Sequence, residues 1–167
     1  MTALIQMTVK GRGPRGFQRQ ITAARKAAWT ELGQAFHSQY RDKRFTPEHA
    51  RQAGYYLRKG EGQPADSKTF RASYTGRKQR IHGHTNPLEF SGRTRAAVRL
   101  ANVQTFALKV QIKYPGAKTF NFRHPKSRIN MREEFARITQ QETVELGAHF
   151  NRSFEVQMAK TRNDSAE

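Results

Sequence analysis

The sequence predicts an α+β fold: a small antiparallel sheet with a long N-terminal helix and an amphipathic C-terminal helix packed on it, plus extended basic loops and arms. Three observations predict it. Ile21, Ala24, Ala28, Leu32, Ala35 and Phe36 recur at three- and four-residue steps, the spacing of one helix face. Phe106, Leu108, Val110, Ile112 and Tyr114 alternate with Ala107, Lys109, Gln111 and Lys113, the two-residue period of a strand with one apolar and one basic face. Thr139-Gln140-Gln141-Glu142 has capping-box spacing, and Leu146, Phe150 and Phe154 follow four apart, as in an amphipathic helix. Helices bracketing a small sheet define the class.

Taken in order, Ile5, Met7 and Val9 alternate with polar neighbours as in a short strand, and a basic glycine-rich loop follows to Gly16. Residues 1–16 are therefore expected to form a flexible arm able to swing onto a neighbour, or a disordered end. The first helix is expected over Phe17–Tyr40, with Gly33 inside it marking close packing. Thr46-Pro47 reads as an N-cap followed by proline at the first helical position. That helix ends near Gln52, Gly54 stops it, and Phe45 sits at the staple position. Asp66 or Ser67 is expected to cap a third helix running to about Arg80, with Phe70 and Tyr74 on one face. Ala96 to Val103 is a possible strand. Pro115-Gly116 turns the chain, and Phe120 and Phe122 are expected on a returning strand. Asn130 is expected to open a short helix through Phe135. The domain reading is a single unit over 17–160, with a basic insertion at about 58–84 and a disordered tail at 161–167.

Charge bounds the function. The chain has 167 residues and a formal net charge of +18, which draws it toward nucleic acid or any acidic surface. Between Tyr55 and Arg99, ten Lys/Arg stand against three acids; Lys10 to Lys26 holds six basic residues and no acid. Five of the thirteen acids fall between Glu133 and Glu155. That separation suits head-to-tail contact between identical subunits, or else marks a solvated helix face. Without cysteine there is no disulfide framework and no cysteine-containing zinc site. No apolar run approaches the ~20 residues of a membrane span, and Met1 to Val9 lacks the plan of a signal peptide. The expected place of synthesis is a cytoplasm.

The stretch His82 to Leu100 organises the rest. Asn86-Pro87 is extended or a turn; Leu88 and Phe90 alternate around Glu89 like a short strand; Ser91 can cap a helix over Gly92–Val98 that carries Arg93 and Arg95. The expected result is a buried apolar pair, a sharp corner and a raised basic turn. With Arg71, Arg77, Lys78 and Arg80 upstream, Arg93 and Arg95 are the candidate contacts to a partner or to DNA. Pro87, Leu88, Phe90, Ser91 and Gly92 form the corner.

The segment Pro87-Leu88-Glu89-Phe90-Ser91-Gly92-Arg93-Thr94-Arg95 resembles the P-L-x-[YF]-[ST]-G-x-[LT]-R segment of tailed-bacteriophage virion-morphogenesis proteins, the neck, tail-completion and head–tail joining proteins. The order of elements across roughly residues 20 to 155 is similar too. Thr94 stands where an apolar residue is commoner, and Gly60 to Ser67 is longer than usual. The resemblance implies a structural virion protein, made in the host bacterial cytoplasm. It would form a homo-oligomeric ring at the head–tail junction, with adjoining connector or portal-side and tail-tube proteins as partners. The packaged DNA end is a further possible contact.

Catalytic and metal chemistry find no pattern. There is no phosphate-loop spacing, no Gly-x-Ser-x-Gly elbow and no H-E-x-x-H. His82 and His84 lack a third ligand at a known spacing, and adjacent Glu133 and Glu134 diverge by ~100° on a helix. The expectation is a non-enzyme without cofactor, metal or membrane. The competing reading is a nucleic-acid-binding protein of ribosomal or chromatin type that uses the same basic patch on phosphates.

Overall fold

A computed structural model describes the backbone of residues 14–121 and 127–163. Within it the fold is α+β. Helix α1 (Pro14–Ala35) leads through a π turn (Phe36–Tyr40) and a 3-10 turn (Asp42–Phe45) into α2 (Pro47–Gln52). After a loop come α3 (Lys68–Arg71), α4 (Tyr74–His82) and α5 (Arg93–Ala97). Strands β1 (Asn102–Thr105) and β2 (Val110–Lys113) pair antiparallel, with Val103 opposite Ile112. A 3-10 turn (Lys118–Asn121), α6 (Met131–Ala136) and α7 (Gln140–Asn163) complete the described chain.

Helices α1 and α7 run antiparallel, because Tyr40 Oη donates to Glu145 at 2.8 Å while Glu31, nine residues earlier, meets Ser153 and Gln157. Ala24 and Ala28 are fully buried on the predicted stripe, and Trp29 packs on Phe150 at 4.6 Å. Gly33 is where α1 touches the hairpin: a Cβ there would lie 2.7 Å from Val110 Cγ2 and 2.9 Å from Val103 Cγ1. The close packing expected of this glycine is thus a helix-to-sheet contact. A second core gathers Phe45, Tyr55, Leu88, Val98, Phe120 and Phe135, tying the central segments to α6.

Local signals placed several helix starts. Thr46 accepts from His49 N at 3.2 Å, and Asn130 from Glu133 N at 3.3 Å. The Thr139–Glu142 box is reciprocal: Glu142 N donates to Thr139 Oγ1 at 3.2 Å, and Thr139 N to Glu142 Oε2 at 3.0 Å. These bonds satisfy backbone donors that a helix start otherwise leaves open.

Other expectations are corrected. Helix α1 begins at Pro14, so residues 14–16, expected in the arm, are helical; residues 1–13, with the strand expected at Ile5–Val9, lie outside the described residues. The strand expected over Phe106–Tyr114 is instead the second half of a hairpin. Phe106 N donates to Lys109 O at 2.8 Å, and Ala107-Leu108 forms the turn. The single helix expected to Arg80 is two, because Ser73 caps a new start by accepting from Gly76 N at 3.0 Å. Phe120 sits in a 3-10 turn and not in a strand, and Phe122 lies outside the described residues. Helix α7 continues to Asn163, into the region expected to be tail.

The acids of α6 and α7 also differ from the outward surface expected of them. Glu134 is fully buried and ion-paired with Arg58, while also accepting from Tyr56 N at 3.0 Å. Glu142 is buried and paired with Arg44, with His49 at 3.5 Å. A buried cation demands a paired anion, because leaving either alone inside costs several kcal/mol. Two of the five clustered acids therefore hold the interior together.

Candidate partner-contact surface

The basic face is built on α3, α4 and α5. Ser67 caps α3, accepting from Phe70 N at 3.1 Å. Helix α4 starts so close to α3 that a Cβ on Gly76 would collide with the Phe70 carbonyl; only glycine fits. Gly83, with φ +71°, then ends α4 in the left-handed conformation, which glycine adopts without steric cost.

The corner is braced from α4 by Lys78. This side chain is 2% exposed, and its Nζ donates to the carbonyls of Asn86 and, at 3.2 Å, Glu89. It therefore does not stand among the exposed contact residues as the sequence suggested; it fastens the corner to the helix. Burial pushes its amine below the ordinary lysine value, with the charge of Arg58 acting the same way and Glu61 and Glu89 opposing. Phe90 packs edge-on against His82 at 4.7 Å and lies 5.4 Å from Tyr74. Glu89 is buried, its Oε1 near Asn86 Nδ2 at 3.4 Å and His84 Nε2 at 3.7 Å.

The corner itself is strained. Leu88 has φ +59°, the single non-glycine residue with positive φ among the described residues. A left-handed leucine costs of order 1–2 kcal/mol, and its burial in the central core opposes that cost. Leu88 and Phe90 thus belong to a turn, not to the short strand expected there. Pro87 is buried with Leu88, whereas Phe90 is only half-buried, so the buried apolar pair expected at Leu88 and Phe90 is not formed. Ser91 is exposed, and Gly92, with φ +78°, occupies the N-cap position assigned to Ser91. Positive φ at that position explains why a glycine stands there.

Around this corner, Arg71, Arg77, Arg80 and Arg93 are exposed, and none forms an ion pair among the described residues. Arg95 is half-buried; its Nε lies 3.5 Å from Asp42 Oδ1 and its guanidinium sits over the Phe45 ring. The sequence did not reveal the ion pairs of Arg44 with Glu142 and Arg58 with Glu134, whose members lie 98 and 76 residues apart. The one usable signal was the capping box, which located Glu142 but not its second role.

Comparison of the chain with protein-family models, curated proteins and solved structures finds no match.

Proposed function

We propose that the chain is a structural virion protein of a tailed bacteriophage, forming a homo-oligomeric ring at the head–tail junction and joining portal-side proteins to the tail tube. The carrying observation is the corner: the segment that resembles virion-morphogenesis proteins is strained at Leu88 and held on α4 by a buried lysine. Arg71, Arg77, Arg80 and Arg93 stand around it, without an ion pair among the described residues. A corner fixed in the core and ringed by exposed cations suits docking against an acidic neighbour or the DNA end. On this reading the chain has a positioning role, with no reaction to catalyse.

The runner-up is nucleic-acid binding, favoured by the absence of any acid between Asp66 and Glu89. Single-strand readers add exposed aromatics on which bases stack. Here Phe45 and Tyr55 are buried, while Tyr56 and Tyr74 are exposed but already packed against the Arg137 guanidinium and Phe90. Two of the four free aromatics are therefore closed to base stacking, which favours the ring. Native mass measurement of the purified chain, alone and with portal-side proteins, separates the two. The ring reading expects a closed oligomer or a stable complex with those proteins. A monomer that ignores them and binds DNA with a steep salt dependence supports the runner-up.

A further inference from the structure

We infer that the outer edge of β2 is an acceptor for the Ile5–Val9 segment of a second copy of this chain. The contact deepens the ring reading, on which it rests, by naming how neighbours grip each other.

The edge follows from the hairpin register. The Phe106–Lys109 bond makes that a hydrogen-bonded pair, and the alternation then makes Gln104–Gln111 and Asn102–Lys113 the bonded pairs. The main-chain groups of Val110 and Ile112 consequently point away from β1. Among the described residues they meet no backbone partner. An unpaired edge of this kind is a template for another strand.

Beside that edge lies an open apolar groove of about 890 Å³, floored by Trp29, Leu32, Phe36 and Phe120. Trp29 Nε1 and Tyr114 Oη, on residues that line it, have no hydrogen-bond partner among the described residues. The side chains of Val110 and Ile112 line the groove, and strand alternation puts Gln111 on the opposite face of the hairpin. The sequence Ile5-Gln6-Met7-Thr8-Val9 repeats the same apolar–polar alternation. Paired to β2, it would turn Ile5, Met7 and Val9 into the groove and Gln6 and Thr8 alongside Gln111.

Chain length decides which copy supplies it. Val9 is five residues from Pro14 and reaches at most ~18 Å from it, even fully extended. Gly33, against which Val110 packs, is nineteen residues further along α1, roughly 28 Å at the helical rise. At the same extension the chain's own arm would bring only Ile5 and Gln6 as far as Gly33, with Met7 to Val9 falling short of it. A neighbour has no such limit and can lay all five residues on β2.

The test exploits the absence of cysteine from the sequence. Full-length Thr8→Cys protein is mixed with Gln111→Cys protein under mild oxidation, with Ser91→Cys as the control partner. The expected result is a disulfide-linked heterodimer at about ten times the control yield. In the double variant Thr8→Cys/Gln111→Cys, a ladder of covalent oligomers is expected. Closure within one chain, or yields equal to the control, would overturn the proposal. As a second readout, Met7→Asp should leave the circular dichroism unchanged and convert the oligomer to monomer; an oligomer of unchanged mass overturns it. A ring without arm exchange removes this contact and leaves the ring reading intact. Arm exchange in a protein absent from virions does the reverse.

Discussion

Two regions bury cations in opposite ways. At the junction of α2, α6 and α7, Arg44 and Arg58 enter the interior against full negative charges, Glu142 and Glu134. At the α4 corner, Lys78 enters against two neutral carbonyl dipoles. The first arrangement locks distant segments and tolerates no missing partner. The second fixes a local turn with a group whose charge is itself disfavoured by burial. Basic residues in this chain thus take three positions: interior clamp, local brace and, at Arg71, Arg77, Arg80 and Arg93, exposed surface.

Breaking the clamp should have the largest effect. Glu142→Ala leaves Arg44 buried and unpaired and also removes half of the α7 capping box; a loss of about 3–5 kcal/mol in unfolding free energy is expected. Denaturant titration checks this, and a loss under 1 kcal/mol would mean that the pair is not buried as described. Lys78→Met removes the brace but also a buried charge. The expected loss is roughly 1–3 kcal/mol, from two carbonyls left without a donor, with faster amide exchange confined to residues 83–92.

Acid should find the clamp as well. Burial, with the Arg44 charge, lowers the His49 pKa below its ordinary 6.5. Burial raises the Glu142 carboxyl, but the Arg44 hydrogen bond and the Thr139 backbone donor outweigh it, and the net position is below 4.5. In both cases the unfolded chain binds more protons, so stability rises with pH across each window. Melting temperature should therefore fall as pH drops below about 6.5, and fall again below about 4.5, as His49 and then Glu142 take up protons. In His49→Gln protein the upper step should vanish. Lys78 acts in the alkaline range with the same sign: its lowered pKa should make stability rise with pH up to the ordinary lysine value, and Lys78→Met should abolish that rise.

The exposed set should matter least to stability and most to partners. Arg71→Ala, Arg77→Ala, Arg80→Ala and Arg93→Ala should each shift unfolding free energy by no more than ~0.5 kcal/mol. Combined, they should abolish binding to portal-side proteins. Stability loss without binding loss would reverse the roles assigned to brace and surface.

The sequence showed much of what depends on residues three or four apart. The α1 stripe, Thr46-Pro47, Asn130 and the Thr139–Glu142 box each carry their partner within one helical turn, so spacing reveals them. The hairpin turn at Ala107-Leu108 was hidden because the apolar alternation runs through it without glycine, proline or asparagine. Leu88 was misread for a related reason: alternation describes side-chain order, whereas positive φ is imposed by packing into a core assembled from remote segments. The interior roles of Lys78, Glu134 and Glu142 are tertiary, and a charged residue looks the same in sequence whether its partner is water or an ion. The candidate surface was accordingly legible in outline, and its one inward member, Lys78, was not.

The most direct measurement is the copy number of this chain in purified tailed virions, read from a particle reconstruction with quantitative mass spectrometry. The ring account expects a fixed number of copies at the head–tail junction, and particles without joined tails when the chain is missing. Tailed particles that assemble normally and contain none of it would contradict the account.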